Sequence, residues 1–185
     1  MPDPVVGLVL AAGAGTRYGM PKAMVRDADG RPWLDHAASA LVAGGCADVV
    51  VGLGALAEPA VHLVPPWADV VLARDWESGP GRSLAEGLQT CGDAAAAVVT
   101  LVDLPGLRPE AVRRVVGDDP APSDLRRATY RGRPGHPVVL GRDHWAAAAS
   151  DPAGAGGYLA AAGATLLDCT DLGGGDDVDV VERSA

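Results

Sequence analysis

An apolar run from Val5 to Leu10 shows no polar alternation and then breaks at Ala11-Ala12-Gly13-Ala14-Gly15. A strand with no alternating polar face is buried on both sides, which is the condition of a parallel strand covered by helices. The small residues after it let the backbone turn sharply and come close to a ligand. Arg17 and Lys22 follow in the same loop. Backbone N–H groups and two cations on a glycine-rich turn suit a polyphosphate. One phosphate loop of this kind therefore sets both the expected fold class and the expected ligand.

The lysine is informative by itself. The chain has 15 Lys and Arg residues, of which Lys22 is the single lysine. A composition rich in Ala, Gly, Pro and Arg disfavours lysine, and a compact ammonium on a flexible stem differs physically from a broad guanidinium fork. A narrow slot for one phosphoryl oxygen would demand it. The spacing excludes two other phosphate loops. Gly13, Gly15 and Gly19 give G-x-G-x-x-x-G rather than G-x-G-x-x-G, and Lys22 lies between Pro21 and Ala23 rather than before Ser or Thr.

Beyond this loop, apolar runs alternate with helical patterns. Strands are expected at Val49–Val51, Val70–Leu72, Ala94–Leu101 and Ala164–Leu167, and helices after Pro32, over Ala55–Val64, from Ser83 and over Pro109–Val116. Short helices are expected over Asp143–Ala149 and from Asp151 towards Gly163. Arg126–Val139 breaks the rhythm and reads as a hairpin turning at Gly132. The expectation is a single domain over residues 1–185 with an α/β fold. It has three α/β/α layers, a Rossmann-like and mostly parallel sheet, and an inserted β-hairpin.

Three further stretches carry chemistry. Trp76-Glu77-Ser78-Gly79-Pro80-Gly81-Arg82-Ser83-Leu84 reads as a strand-to-helix ligand loop, with an ordinary helix N-cap as the alternative role for Ser83. Asp103, followed by Leu104-Pro105, ends a buried strand, where open α/β sheets bind ligands and where a hard cation finds carboxylate oxygen. In the tail, Asp177 and Asp179 share one face of an extended segment and can act together, a solvated acidic tail being the alternative. The hairpin apex Arg131–Val138 concentrates positive charge in a chain of net charge −9. That charge argues against a nucleic-acid or membrane surface, and no apolar run reaches the ~18 residues of a membrane span. An acidic protein that binds an anion needs local cations or a divalent metal. Cys46, Cys91 and Cys169 form no C-x-x-C pair and fit a reducing cytoplasm.

Leu10-Ala-Ala-Gly13, Arg17, Gly19, Pro21 and Lys22 resemble the L-A-A-G-x-G-x-R-x-G-x-P-K signature of nucleotidyltransferases. Among these the chain is most similar to the MobA-like molybdenum-cofactor nucleotidyltransferases. Gly135-His136-Pro137-Val138 points to their cytidylyltransferase branch. The resemblance implies transfer of a nucleoside monophosphate to a phosphorylated acceptor with release of pyrophosphate. It implies CTP rather than GTP as donor, molybdopterin or its metal-loaded form as acceptor, and a molybdenum enzyme as a recipient of the product. By resemblance, Arg17, Lys22 and Asp103 are catalytic, and Leu10, Ala11, Ala12, Gly13, Ala14, Gly15, Arg17, Lys22, Gly79 and Ser83 bind the nucleotide. The same reading expects Arg131, Arg133, Gly135 and His136 to bind the acceptor, and Asp103 with Asp177 or Asp179 to hold Mg2+. His136 either polarises the acceptor phosphate or serves the hairpin itself. The chain departs from the family pattern at Gly156, where an arginine is expected. Two other activities remain open at this point: the same transfer to a sugar phosphate, and a noncatalytic nucleotide-binding chaperone for cofactor delivery.

Overall fold

A computed structural model describes residues 4–178. Its centre is a seven-stranded sheet in the order β3-β2-β1-β4-β6-β5-β7. The strands are β1 (Val5–Ala11), β2 (Asp48–Leu53), β3 (Asp69–Leu72), β4 (Ala96–Leu101), β5 (Leu125–Tyr130), β6 (Arg133–Gly141) and β7 (Thr165–Asp168). β1 lies between β2 and β4 and is parallel to both, so it is the middle of the parallel half. Its residues alternate between two cores. Val9 and Ala11 join one cluster, while Val6 and Leu8 join the other. Burial on both faces is why the run has no polar period.

The helices are α1 (Trp33–Ala43), α2 (Ala57–Ala60), α3 (Pro80–Thr90), α4 (Pro109–Val116), α5 (Trp145–Ala148) and α6 (Gly156–Ala161). α1 and α4 cover one face of the sheet through Leu34, Leu41, Val112 and Val115. α3, α5 and α6 cover the other through Leu84, Leu88, Ala148 and Leu159. The expected three layers and mostly parallel sheet are therefore present. Three helices are shorter than the pattern implied, α5 being an α-helix over Trp145–Ala148 alone after a 3-10 turn at Arg142–His144. Ala57–Ala60 passes into a 3-10 turn at Val61–Leu63, and α6 begins at Gly156 because Asp151–Gly154 forms a turn, with Gly154 N–H donating to Asp151 O at 2.9 Å.

The hairpin does more than decorate the sheet. β6 pairs antiparallel with β4, with Val99 opposite Val138, so the start of β6 lies at the same end of the sheet as the finish of β1 and β4. The three cysteines are all buried and unpaired, and burial pushes the Cys46 and Cys91 thiols up to about 12. Among the described residues no helix is long and apolar enough to cross a membrane.

Candidate active site

The loop after β1 folds back on itself, with Gly19 N–H donating to Gly15 O at 2.9 Å. Gly15 has φ of +62°, and a Cβ there would lie 1.9 Å from Met20 O, so both conformation and space require glycine. Tyr18 meets the buried Trp33 ring edge-on, with centroids 5.7 Å apart, which ties the loop to α1. The loop walls a cavity of about 260 Å³ whose lining includes Leu10, Gly13, Gly15, Arg17, Lys22 and Asp103. Lys22 reaches across it, with Nζ 2.8 Å from Asp103 Oδ2. The other carboxylate oxygen, Asp103 Oδ1, is buried and has no hydrogen-bond partner among the described residues.

A second cavity of about 310 Å³ adjoins the first and shares Leu10, Gly13 and Leu101 with it. Ala12 forms part of one wall, and Trp76, Gly79 and Ser83 form the other. The N-cap alternative for Ser83 is corrected by the helix itself. α3 starts at Pro80 with Gly79 as its cap, which places Ser83 inside the first turn and buried. Ala14 is in the lining of neither cavity.

The acceptor residues expected on the hairpin separate into two groups. Arg131 and Arg133 are exposed and line a cavity of about 250 Å³ together with Thr170 and the tail residues Gly173–Asp176. His136 lines a different cavity, of about 280 Å³, on the α3 and α6 side of the sheet. Gly135 sits against the Tyr130 ring, and Tyr130 Oη donates to His136 O at 3.0 Å. Burial holds the His136 imidazole below its ordinary value. The positive charge of Arg127 works in the same direction, whereas the contact of Nδ1 with Val99 O and the charge of Asp103 oppose it. A neutral ring facing a carbonyl must present Nδ1–H, which leaves Nε2 as an acceptor.

The tail returns to this end of the sheet. Gly174 has φ of +77°, and a Cβ on it would lie 1.9 Å from Gly106 O, so the two segments pass backbone to backbone. Val178 N–H then donates to Asp103 O at 3.0 Å, which puts Asp177 one residue from that contact. Asp177 is exposed. Asp179, the third expected carboxylate, lies outside the described residues. Among the described residues no group of three or more His, Cys, Asp or Glu side chains is placed to hold a metal.

A phosphate-type loop, a lysine–aspartate pair and a second cavity lie together at the carboxyl end of the parallel half of the sheet, where open α/β sheets bind ligands. The profile of the MobA-like NTP transferase domain matches residues 7–165. The chain belongs to this family. The MobA-like domain is 37% identical to nicotine blue oxidoreductase of Paenarthrobacter nicotinovorans, covering 97% of this chain and 94% of that protein. It is 31% identical to a probable molybdenum cofactor guanylyltransferase of Rhodopirellula baltica, over 57% of this chain and 51% of that one. Among solved structures, Rv0371c of Mycobacterium tuberculosis H37Rv superposes with a TM-score of 0.80 at 25% identity, covering 97% and 94% of the two chains. A manganese complex of Rv0371c superposes with a TM-score of 0.72 at 23% identity, covering 89% and 88%.

Two features of this MobA-like domain escaped the sequence. Thr16 and Tyr18 line the first cavity, although nothing in their residue types marks them. Arg127 lines the His136 cavity, and here a signal existed. Neighbouring residues of a strand point to opposite faces. Arg126 turns to the α4 side, where it pairs with Asp124 at 2.6 Å and donates to Val116 O. Arg127 is therefore left on the face of α3 and α6.

Proposed function

We propose that the chain transfers a nucleoside monophosphate from a nucleoside triphosphate to a phosphorylated acceptor. The observation that carries this is the Lys22–Asp103 pair set beneath the glycine loop. A reaction at the α-phosphorus needs positioning and charge neutralisation more than a protein nucleophile. Arg17 and Lys22 hold the triphosphate, while Ala12, Gly13, Gly79 and Ser83 enclose the base and ribose. The acceptor phosphate, drawn in by Arg131 and Arg133, attacks in line, and pyrophosphate leaves on the side of Lys22.

Asp103 Oδ1, buried and unpartnered among the described residues, suits a hard divalent cation. Asp103 and Asp177 would hold it, Asp179 being a further candidate beyond the described residues. When bound, such an ion neutralises phosphate oxygens. We assign Mg2+ to this role, with Mn2+ as its natural substitute in assays.

For the donor, Gly135–Val138 favours CTP, whereas the name of the Rhodopirellula baltica relative favours GTP. A molybdopterin-type acceptor is consistent with both. The test is to incubate the protein with CTP or GTP, Mg2+ and molybdopterin and to follow pyrophosphate. Release with either nucleotide, dependent on acceptor, supports the proposal, and no release with any pair removes it.

A second activity has its own support in the 37% identity to an enzyme named as an oxidoreductase. Hydride transfer from a reduced nicotinamide dinucleotide to an oxidised aromatic acceptor would place the cofactor's pyrophosphate on this loop without the G-x-G-x-x-G spacing that usually holds it. Consumption of NADPH or NADH with such an acceptor, without pyrophosphate release, would favour it.

A further inference from the structure

Arg127 is half-buried in the lining of the 280 Å³ cavity, which it shares with Gly156, Leu84, Val138 and Leu159. Its Nε donates to Gly135 O at 3.1 Å. Its terminal nitrogens have no acceptor among the described residues, and no described carboxylate lies within ion-pair distance. Desolvation holds the guanidinium below its ordinary range, yet an arginine stays protonated. Those nitrogens are not buried, so water reaches them through the cavity, and an anionic group placed there would replace that water with a charge-assisted hydrogen bond. His136, neutral and with Nε2 as acceptor, lines the same cavity. Leu10, Pro80 and Leu101 are common to this cavity and to the one bounded by Ser83 and Trp76. Whatever fills it therefore lies beside the nucleotide.

We propose, resting on the nucleotidyl-transfer function above, that this cavity receives the ring system of the acceptor, and that Arg127 decides which rings are accepted. The ligand is a planar, largely apolar heterocycle with an anionic oxygen on the edge that faces Arg127. The apolar walls supply area, and the guanidinium fork supplies discrimination, because a charge-assisted hydrogen bond to it is lost when the edge is neutral. His136 Nε2 accepts from an N–H on the same ring. The exposed Arg131 and Arg133 then serve the acceptor's phosphate, and Arg127 serves its ring.

The test uses two fluorescent probes of one shape, 2-naphthoate and the neutral 2-naphthamide, titrated into wild type and Arg127→Met. Methionine keeps the apolar stem and removes the charge. Naphthoate affinity is expected to fall at least ~10-fold in the variant while naphthamide stays within ~2-fold, since the missing interaction is charge-assisted. Arg127→Lys should retain an intermediate preference for naphthoate. A Cβ at Gly156 meets no atom within 4 Å, so Gly156→Leu fits the fold and should weaken both probes by narrowing the cavity. It serves as the second variant if Arg127→Met does not fold. Equal loss of both probes in Arg127→Met overturns the role of Arg127, and so does failure of wild type to bind naphthoate. Thermal shifts by CTP and GTP are measured in parallel. Their loss in Arg127→Met would place Arg127 over the nucleotide and overturn the proposal. Their absence in wild type, with Arg127-dependent naphthoate binding intact, would remove nucleotidyl transfer and leave the ring site standing.

Discussion

Lys22 Nζ and Asp103 Oδ2 lie 2.8 Å apart, although 81 residues separate them in sequence. Both side chains are mostly shielded from water. The pair joins the loop after β1 to the end of β4 across the floor of the candidate site. A triphosphate that recruits the ammonium must share it with the carboxylate, and a cation on Asp103 must share the carboxylate with the ammonium. Lys22→Arg is expected to lower turnover at least ~10-fold, equivalent to ~1.4 kcal/mol of transition-state stabilisation, because the broader fork does not fit a slot built for one nitrogen. Steady-state kinetics decide it, and wild-type turnover in the variant would remove the argument from the single lysine.

Asp103→Asn keeps the size of the side chain and removes its charge. Nucleotide should stabilise wild type more strongly with Mg2+ or Mn2+ than without, whereas the variant should show the same shift in both conditions. Differential scanning fluorimetry with and without EDTA measures this. A full metal-dependent shift in the variant would assign Asp103 a structural role.

Arg131 and Arg133 are exposed, so the action proposed for them on an anionic acceptor would be long-range attraction. Replacing both with Gln should raise KM for the acceptor and leave KM for the nucleotide nearly unchanged. Higher salt should imitate the double variant, since screening sets in at about 10 Å near 0.1 M. Saturation curves for each substrate at two ionic strengths separate the outcomes, and a defect confined to the nucleotide would reverse the assignment.

His136 gives the fold a pH dependence with a definite sign. Its imidazole is held below 6.5 in the folded chain and returns to about that value on unfolding. Below roughly pH 6.5 the unfolded chain takes up a proton that the folded chain refuses, so unfolding free energy falls as pH drops towards the folded value. Urea midpoints at pH 7.5 and 5.5 are expected to fall less in His136→Gln than in wild type. An equal fall would assign the loss to other groups.

Thr100 lies fully buried in β4, and its hydroxyl has no partner among the described residues. Valine has nearly the same shape without the polar atom. Thr100→Val is expected to raise stability by about 1 kcal/mol, because the hydroxyl now bears a desolvation cost with no bond to offset it. Chemical denaturation measures the change, and a loss of stability would mean that the hydroxyl is satisfied in solution.

Much of the architecture was legible because burial on both faces leaves continuous apolar runs. Val5–Leu10 and Ala94–Leu101 became the adjacent central strands β1 and β4, and the glycine loop between β1 and α1 sits where the motif placed it. What sequence spacing does not encode is which side of the sheet a residue faces after a bend. Arg131, Arg133 and His136 occupy one short stretch, yet the turn at Gly132 and the crossing into β6 send them to two cavities. Ser83 was open to two roles because a serine near a helix start is a natural cap, and only the start at Pro80 decides the matter. The partner of a buried cation is likewise a three-dimensional fact. Arg126 and Arg127 are alike in sequence, and Asp124 makes the difference between them.

The antiparallel seam between β4 and β6 divides the sheet into two halves under different constraints. The parallel half carries the glycine loop and Lys22, whose backbone geometry tolerates little change, as Gly15 illustrates. Within the sheet the other half meets it through a short ladder from Ala96–Gly141 to Val99–Val138, and outside the sheet contacts such as Val178 N–H to Asp103 O add to it. Substitutions in the hairpin or in α6 can reshape one wall of the cleft while the ladder, made of backbone hydrogen bonds, stays in register. A fold joined in this way is free to change the wall lined by Arg127 and His136 while the glycine loop keeps its shape.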